Sequence, residues 1–262
     1  MSAGQVILVR RGPIAELRID NPKKFNAMSL AMWRDVAMHA AALSGDADVR
    51  VLLLRGEGEK AFISGADIAE FDTTRSAETG SDAYDGAVDA AQNALMACPF
   101  PVVASIHGIC MGGGLGLAMA CDLRYGALEA RFRMPAARLG LGYSHAGIQR
   151  MVGVLGAATA ADLFFTARTF DGAEARRLRL VHDAFQASEL NRHVEETLAT
   201  IAANAPLTVR LAKQAIHLAL GEVSTEAIAQ IEAGRRACIR SADYAEGRRA
   251  FAEKRPAVFL GK

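Results

Sequence analysis

"PVVASIHGICMGGGLGLAMACD", Pro101 to Asp122, joins an apolar run to three consecutive glycines and then to a run of small and apolar residues. Val102, Val103 and Ile106 have the β-branched, apolar character of a strand buried in a parallel sheet. Leu115, Leu117, Ala118, Met119 and Ala120 predict a short helix buried on most sides. The glycines sit at the join. Gly112, Gly113 and Gly114 permit positive φ and close approach of another backbone, and they leave the first N–H groups of the helix without intrahelical acceptors. Such groups attract negative charge.

A glycine turn of this kind has several readings. One is a tight turn that only lets the helix pack on the sheet. A dinucleotide fingerprint fits poorly, because Leu117 stands where the third small residue belongs, and a P-loop is excluded because no Gly-Lys-Ser/Thr follows. The remaining reading is a donor site for a developing oxyanion, which requires a second donor from elsewhere. "KAFISGADIAEF", Lys60 to Phe71, offers one at the small-residue bend Ser64-Gly65-Ala66.

The composition is that of an ordinary globule with a sizeable core: 262 residues, 51% hydrophobic and 23% charged. A formal net charge of +1 gives no overall attraction to nucleic acid or an anionic membrane, so neither is expected as a partner. An acidic ligand then has to be held by local basic residues. Cys98, Cys110, Cys121 and Cys238 form no CxxC pair and predict reduced thiols. The histidines and carboxylates show no metal-ligand spacing, so no metal is expected. "MSAGQVILVRRG" is too short an apolar run for a signal peptide, which predicts a cytoplasmic protein.

Outward from the glycines, "QVILVRR" and "IAELRID" around Gly12-Pro13 predict an opening β-hairpin. Ser29 caps a helix to about Ser44, and "RVLLLRG" is a buried strand ending at Gly56. Asp72 to Asp82 is polar and aperiodic and predicts a loop. A helix follows from about Tyr84 to Cys98, with Ala87, Ala91, Ala94, Leu95 and Ala97 on its apolar side. "LGAATAADLFFTA" predicts a further amphipathic helix. Asp171 is placed to cap the next, with Glu174 at capping-box spacing. From Ser188 onward the pattern is successive helices, one of which begins at Pro206.

Six stretches, in order, resemble the crotonase superfamily, also called the enoyl-CoA hydratase/isomerase family. They are "NPKKFNAM" (from Asn21), "AFISGADIAEF" (from Ala61), "ASIHGICMGGGLGLAMACDLR" (from Ala104), "FTARTFDGAEARRLRLV" (from Phe165), "NAPLTVRLAKQAI" (from Asn204) and "FAEKRPAVF" (from Phe251). The resemblance implies an α/β fold with a crotonase-like spiral core of repeated ββα units over 1–187. A C-terminal helical segment over 188–262 would serve to trimerise the chain, as a homotrimer or homohexamer. It implies an acyl-CoA thioester substrate, with coenzyme A entering as part of that substrate and no tightly bound cofactor.

By the same resemblance, the backbone N–H groups of Ala66 and Gly113 hold the thioester carbonyl oxygen. Lys24, Ala66, Asp67 and Ile68 lie at the CoA portion, and Phe251 and Lys254 reach the CoA of a neighbouring subunit. Other readings stay open beside these: Asp67 as a capping group, Lys24 and Lys254 as solvated lysines, Phe251 as a core aromatic. The family's A-x-x-x-G-L-V pattern appears as Ala175 to Val181 with Arg179 in place of the glycine.

One departure bears on the reaction. The two glutamates with which a hydratase of this family adds water are replaced by Gly116 and Ala136, which line the substrate pocket by the same alignment and cannot transfer a proton. General acid–base groups each contribute ~10²–10⁴-fold, so ordinary two-glutamate hydration is not expected. Tyr143, Ser144 and His145 stand close behind. Tyr143 is a hydrogen-bond or proton donor, and His145 is either a catalytic group or a solvent- or subunit-facing residue of a first helical turn. "MPAARLGLGYSHAGI" is also similar to a methylmalonyl-CoA decarboxylase, with Tyr143 matching its pocket tyrosine across a one-residue gap. Two other classes remain: a serine hydrolase, since Gly142, Ser144 and Ala146 nearly spell G-x-S-x-G, and an acyl-CoA binder without catalysis.

Overall fold

Strands β1 (Gln5–Arg11) and β2 (Ile14–Asp20) form the expected antiparallel hairpin, turning at Gly12 with φ +59. In the computed structural model the described residues are 4–67, 78–221 and 223–262, with backbone alone for 78–81. Beyond the hairpin, β2 pairs in parallel with β3 (Val51–Gly56). The same parallel pairing continues through β5 (Val102–Ile106), β7 (Leu123–Ala127) and β10 (Asp183–Phe185), so the order of this six-stranded sheet is β1-β2-β3-β5-β7-β10. A second sheet of four strands runs β4-β6-β8-β9, from Ala61–Ile63, Ile109–Met111, Arg131–Arg133 and Phe170–Asp171.

The two sheets come from one repeated pattern. The pairs β3–β4, β5–β6 and β7–β8 each give their first strand to the large sheet and their second to the small one. Each pair is followed by helix: α2 (Glu78–Ala97), α3 (Gly113–Met119) and α4 (Ala136–Leu139) respectively. This is the ββα spiral expected from the sequence. The apolar run from Pro101 to the glycines, however, is two strands rather than one. Gly108 has φ +55, and a Cβ there would lie 2.0 Å from the Lys60 carbonyl oxygen. The chain therefore bends at His107-Gly108 and passes into the other sheet.

Helix α1 (Leu30–Ser44) starts where Ser29 accepts the Met32 N–H at 3.2 Å, and it buries Met32, Trp33, Val36, Ala40 and Leu43. The amphipathic helix expected over 155–167 begins only after Gly156 (φ +74), as α6 (Ala157–Thr166), and is preceded by α5 (His145–Leu155), whose first turn holds His145. Asp171 caps α7 (Gly172–Arg177) by accepting from Glu174 N at 2.9 Å, as its spacing predicted.

Four more helices follow: α8 (Ala187–Ala203), α9 (Pro206–Ala219), α10 (Thr225–Arg240) and α11 (Ala242–Glu253). The boundary at 187/188 falls in the first turn of α8. That helix packs across β3, β5, β7 and β10 through Leu190, Val194, Leu198 and Ala202, so it is a layer over the sheet. By contrast α10 buries none of its residues in the single chain. Helix α9 is tied to the core at Asp122, whose carboxylate takes Lys213 Nζ at 2.7 Å and His217 Nε2 at 3.0 Å. No helix among the described residues is long and apolar enough to cross a membrane. Cys98, Cys110 and Cys121 are buried free thiols, and burial pushes all three pKa values up.

Candidate active site

Strands β4 and β6 are parallel neighbours, with Ile63 opposite Cys110, so the chain leaves both at the same end. After β4 comes Gly65 with φ +118 and then Ala66; after β6 comes Gly112 with φ +52 and then Gly113, the first residue of α3. The two bends interlock. A Cβ on Gly65 would lie 3.4 Å from Met111 O, and one on Gly114 would lie 2.3 Å from Ile63 O. Neither the Ala66 nor the Gly113 N–H has an acceptor among the described residues. A parallel pairing of two short strands thus brings together two donors 47 residues apart in sequence.

The Ala66 bend is held from the other side by the segment after β2. Met28 N donates to Gly65 O at 2.8 Å and Asp67 N donates to Met28 O at 2.9 Å, which brackets Ala66 without using its N–H. Ser64 N donates to Phe25 O at 3.1 Å, and Lys24 Nζ lies 2.6 Å from Asp67 Oδ2. Phe25 and Asn26 both have positive φ, +53 and +56. Asn26 is buried and fixes this tight turn by donating through Nδ2 to Glu57 O at 3.1 Å and Ala61 O at 2.7 Å.

Beneath the glycine turn lies a side-chain relay that the sequence did not disclose. Trp33 Nε1 donates to Tyr84 Oη at 2.8 Å, and Tyr84 donates to Met28 O at 3.1 Å. The Trp33 ring also packs on Gly113, where a Cβ would stand only 3.0 Å from Cζ2. Trp33 therefore touches one candidate donor directly and the other through Tyr84 and Met28.

Behind the two amides stand Gly116 and Ala136, both buried. Pro135 lies against Gly112, 3.7 Å from where a Cβ would be, which puts Ala136 beside the turn. A Cβ on Gly116 would lie 2.7 Å from Gln92 Nε2 and 3.6 Å from Tyr143 Oη. Tyr143 is half-buried, with its ring edge-on to Phe164 at 5.6 Å. Burial pushes its pKa up to about 12, against the pull of Arg150, so the phenol stays protonated at neutral pH.

The neighbours of Tyr143 go elsewhere. Ser144 is the N-cap of α5: its Oγ accepts from Gly147 N at 3.2 Å and donates to Asp89 Oδ1 at 3.3 Å. The residues before it are α4 and a loop, not the strand that a nucleophile elbow needs, so the serine hydrolase reading has no support here. His145 is exposed on the first turn of α5, on the outside of the chain from which Tyr143 points inward.

A family model for enoyl-CoA hydratase/isomerase matches residues 10–262. The chain belongs to the enoyl-CoA hydratase/isomerase family. It is 32% identical over 256 residues to a short-chain-enoyl-CoA hydratase of Clostridium acetobutylicum, covering 97% of each chain. It is also 32% identical to a crotonyl-CoA hydratase of Syntrophomonas wolfei over the full length of both. Among solved structures, an enoyl-CoA hydratase/carnithine racemase from Magnetospirillum magneticum superposes with a TM-score of 0.93 at 36% identity, covering 100% of this chain and 97% of that one.

Membership of the enoyl-CoA hydratase/isomerase family frames the remaining residues. Phe251 is 88% exposed, and it lines a groove of about 550 Å³ with Tyr244, Arg248 and Phe259. Lys254 ends α11 with φ +53 and is exposed. Neither joins the Ala66–Gly113 turn within one chain. Ile68 lies outside the described residues, as does the loop expected over 72–82 as far as 77; from Glu78 the chain is already α2. Trp33, Tyr84 and Gln92 are the site residues that sequence reasoning missed.

Proposed function

We propose that this enzyme binds an acyl-CoA thioester with its carbonyl oxygen between the Ala66 and Gly113 amides and turns it over through a thioester enolate, without two-glutamate hydration. The observation that carries this reading is the pair of acceptor-free N–H groups at the adjacent ends of β4 and β6, backed by residues that cannot transfer protons, Gly116 and Ala136. Each such donor is worth on the order of 3 kcal/mol to a developing oxyanion. The CoA portion lies along Lys24 and Asp67, and coenzyme A is part of the substrate rather than a resident cofactor. Phe251 and Lys254 serve the site of a neighbouring subunit in a homotrimer or homohexamer. The exposed apolar side chains Ile216, Leu220 and Ile228 on the last helices support that assembly.

Tyr143 favours a second, more specific reading: decarboxylation of a malonyl-type thioester. The bond from the α-carbon to the carboxylate carbon breaks, CO₂ leaves, and the electron pair moves into the enolate held by the two amides. Tyr143 or a water then protonates the α-carbon, and a phenolate so formed regains its proton from solvent.

The test is turnover of enoyl-CoA and malonyl-type CoA pools read by mass spectrometry, with Ala66→Pro, Tyr143→Phe and His145→Ala beside wild type. Ala66→Pro removes one donor and is expected to cost about 10²–10³-fold in rate. Loss of malonyl-type turnover in Tyr143→Phe, with His145→Ala near wild type, supports decarboxylation. Efficient crotonyl-CoA hydration overturns the proposal, and binding without turnover in either pool makes the protein an acyl-CoA binder.

A further inference from the structure

Gln92 is 3% exposed on α2, and a buried amide on an alanine-rich helix calls for partners. One half of the amide has one. Arg150 Nη1 donates to Gln92 Oε1, while Arg150 Nη2 donates to Asn93 Oδ1 at 3.2 Å and Nε points to Met96 Sδ at 3.1 Å. A guanidinium has only donors, so it can meet only the oxygen of the amide. Arg150 thereby fixes which way Gln92 faces: the NH₂ group points to α3, 2.7 Å from where a Cβ on Gly116 would stand. That NH₂ has no acceptor among the described residues. Tyr143 Oη lies 3.6 Å from the same point, and its protonated hydroxyl can donate there as well as accept.

We propose that Gln92 is a specificity-determining residue which, with Tyr143, reads a carboxylate on the acyl chain of the substrate. The inference rests on the reading that the thioester carbonyl sits between the Ala66 and Gly113 amides, because that places the acyl chain beside Gly116. Two donors converge on this point, and a carboxylate offers an acceptor oxygen to each. The Arg150 guanidinium, hydrogen-bonded to Gln92 and Asn93, sets a positive charge behind the amide that draws an anion, against the opposing charges of Asp89 near Arg150 and of Asp89 and Asp85 near Tyr143. An apolar acyl chain would leave the Gln92 amide buried and unpaired, which disfavours it. Gly116 follows from the same geometry: any side chain there would occupy the space of the Gln92 amide. Arg150 is the positioning residue of this arrangement.

The experiment compares malonyl-CoA with butyryl-CoA. Because Trp33 packs on Gly113, the fluorescence of this single tryptophan, followed by stopped flow before turnover, reads the affinity of each ester. Wild type is expected to prefer malonyl-CoA by about tenfold or more, in line with hydrogen bonds to a charged group. Gln92→Leu should remove that preference while keeping butyryl-CoA affinity. The isosteric Gln92→Glu guards against misfolding of the leucine variant, and it should lose malonyl-CoA binding because carboxylate then faces carboxylate. Arg150→Met should weaken the preference, with partial rescue in Arg150→Lys. An equal preference in wild type and Gln92→Leu, or none in wild type, overturns the role of Gln92 and leaves the acyl-CoA reading standing. Failure of wild type to bind either ester overturns both.

Discussion

Trp33 Nε1 and Tyr84 Oη form a 2.8 Å hydrogen bond beneath the glycine turn, and the Tyr84 hydroxyl passes on to Met28 O. Met28 is the residue whose N–H and C=O bracket Ala66. Tyr84→Phe removes the hydroxyl and leaves the buried Trp33 N–H without its acceptor. A buried donor left unpaired costs about 1–3 kcal/mol. The variant is expected to unfold at lower urea by that amount. It should also lose turnover at unchanged circular dichroism, because Ala66 is less firmly placed. Full activity with normal stability would show that the relay is not what holds the bend.

Asp122 fastens α9 to the core. Burial would raise its pKa, but the hydrogen bond from His217 and the charge and hydrogen bond of Lys213 outweigh burial and hold it below the ordinary carboxylate value. A carboxylate with a depressed folded-state pKa stabilises the fold above its unfolded pKa of about 3.9, and that contribution is lost as pH falls through the folded value. Asp122→Asn leaves the Lys213 ammonium buried beside Phe100 O with no carboxylate, at an expected cost of about 3 kcal/mol near pH 7. Urea unfolding from pH 7 to pH 3 should show the gap between variant and wild type closing below about pH 4. A gap that stays constant over this range would deny the linkage.

What the sequence disclosed was local. The hairpin at Gly12, the Ser29 cap and the Asp171 cap each depend on a few neighbouring residues, and each stands where its pattern placed it. The bend at Gly108 was hidden because its cause, the carbonyl of Lys60, is remote in sequence. In the sequence Trp33 looks like any apolar position of α1; nothing in its spacing points to Gly113. Gln92 carried a usable signal. It follows Val88 by four residues and precedes Leu95 by three, which puts a polar amide on the apolar side of α2. Tyr143 and His145 are two residues apart, yet the cap at Ser144 starts a helix between them and sends one inward and the other out.

Arg179 stands where the family pattern has glycine, and the backbone keeps the left-handed conformation that glycine suits, with φ +62. The residue is exposed and has no ion pair or side-chain hydrogen bond among the described residues. Arg179→Gly relieves the left-handed strain, partly offset by the greater freedom of glycine in the unfolded chain. A net gain of about 0.5–1 kcal/mol is expected in urea unfolding, with no change in turnover. Destabilisation would mean that the Arg179 side chain contributes packing in the assembled protein.

Gly116→Glu alone is not expected to make a hydratase. The Cβ of any residue at 116 would come within 2.7 Å of Gln92 Nε2, so the glutamate must displace an amide that Arg150 holds. Forcing a side chain into this buried space costs roughly 1–3 kcal/mol. The second proton-transfer position would still be Ala136. The combined variant Gly116→Glu, Ala136→Glu, Gln92→Ala removes the obstruction and supplies both carboxyl groups. It is expected to hydrate crotonyl-CoA at least about 10²-fold faster than Gly116→Glu, the lower end of what positioned acid–base groups contribute. Its rate should fall at low pH as a glutamate protonates. Tyr143, with its pKa at about 12, should add no break between pH 6 and 9. Hydration by Gly116→Glu at a rate equal to the combined variant would show that Gln92 yields freely, and that the space beside Gly116 is not what excludes the glutamate.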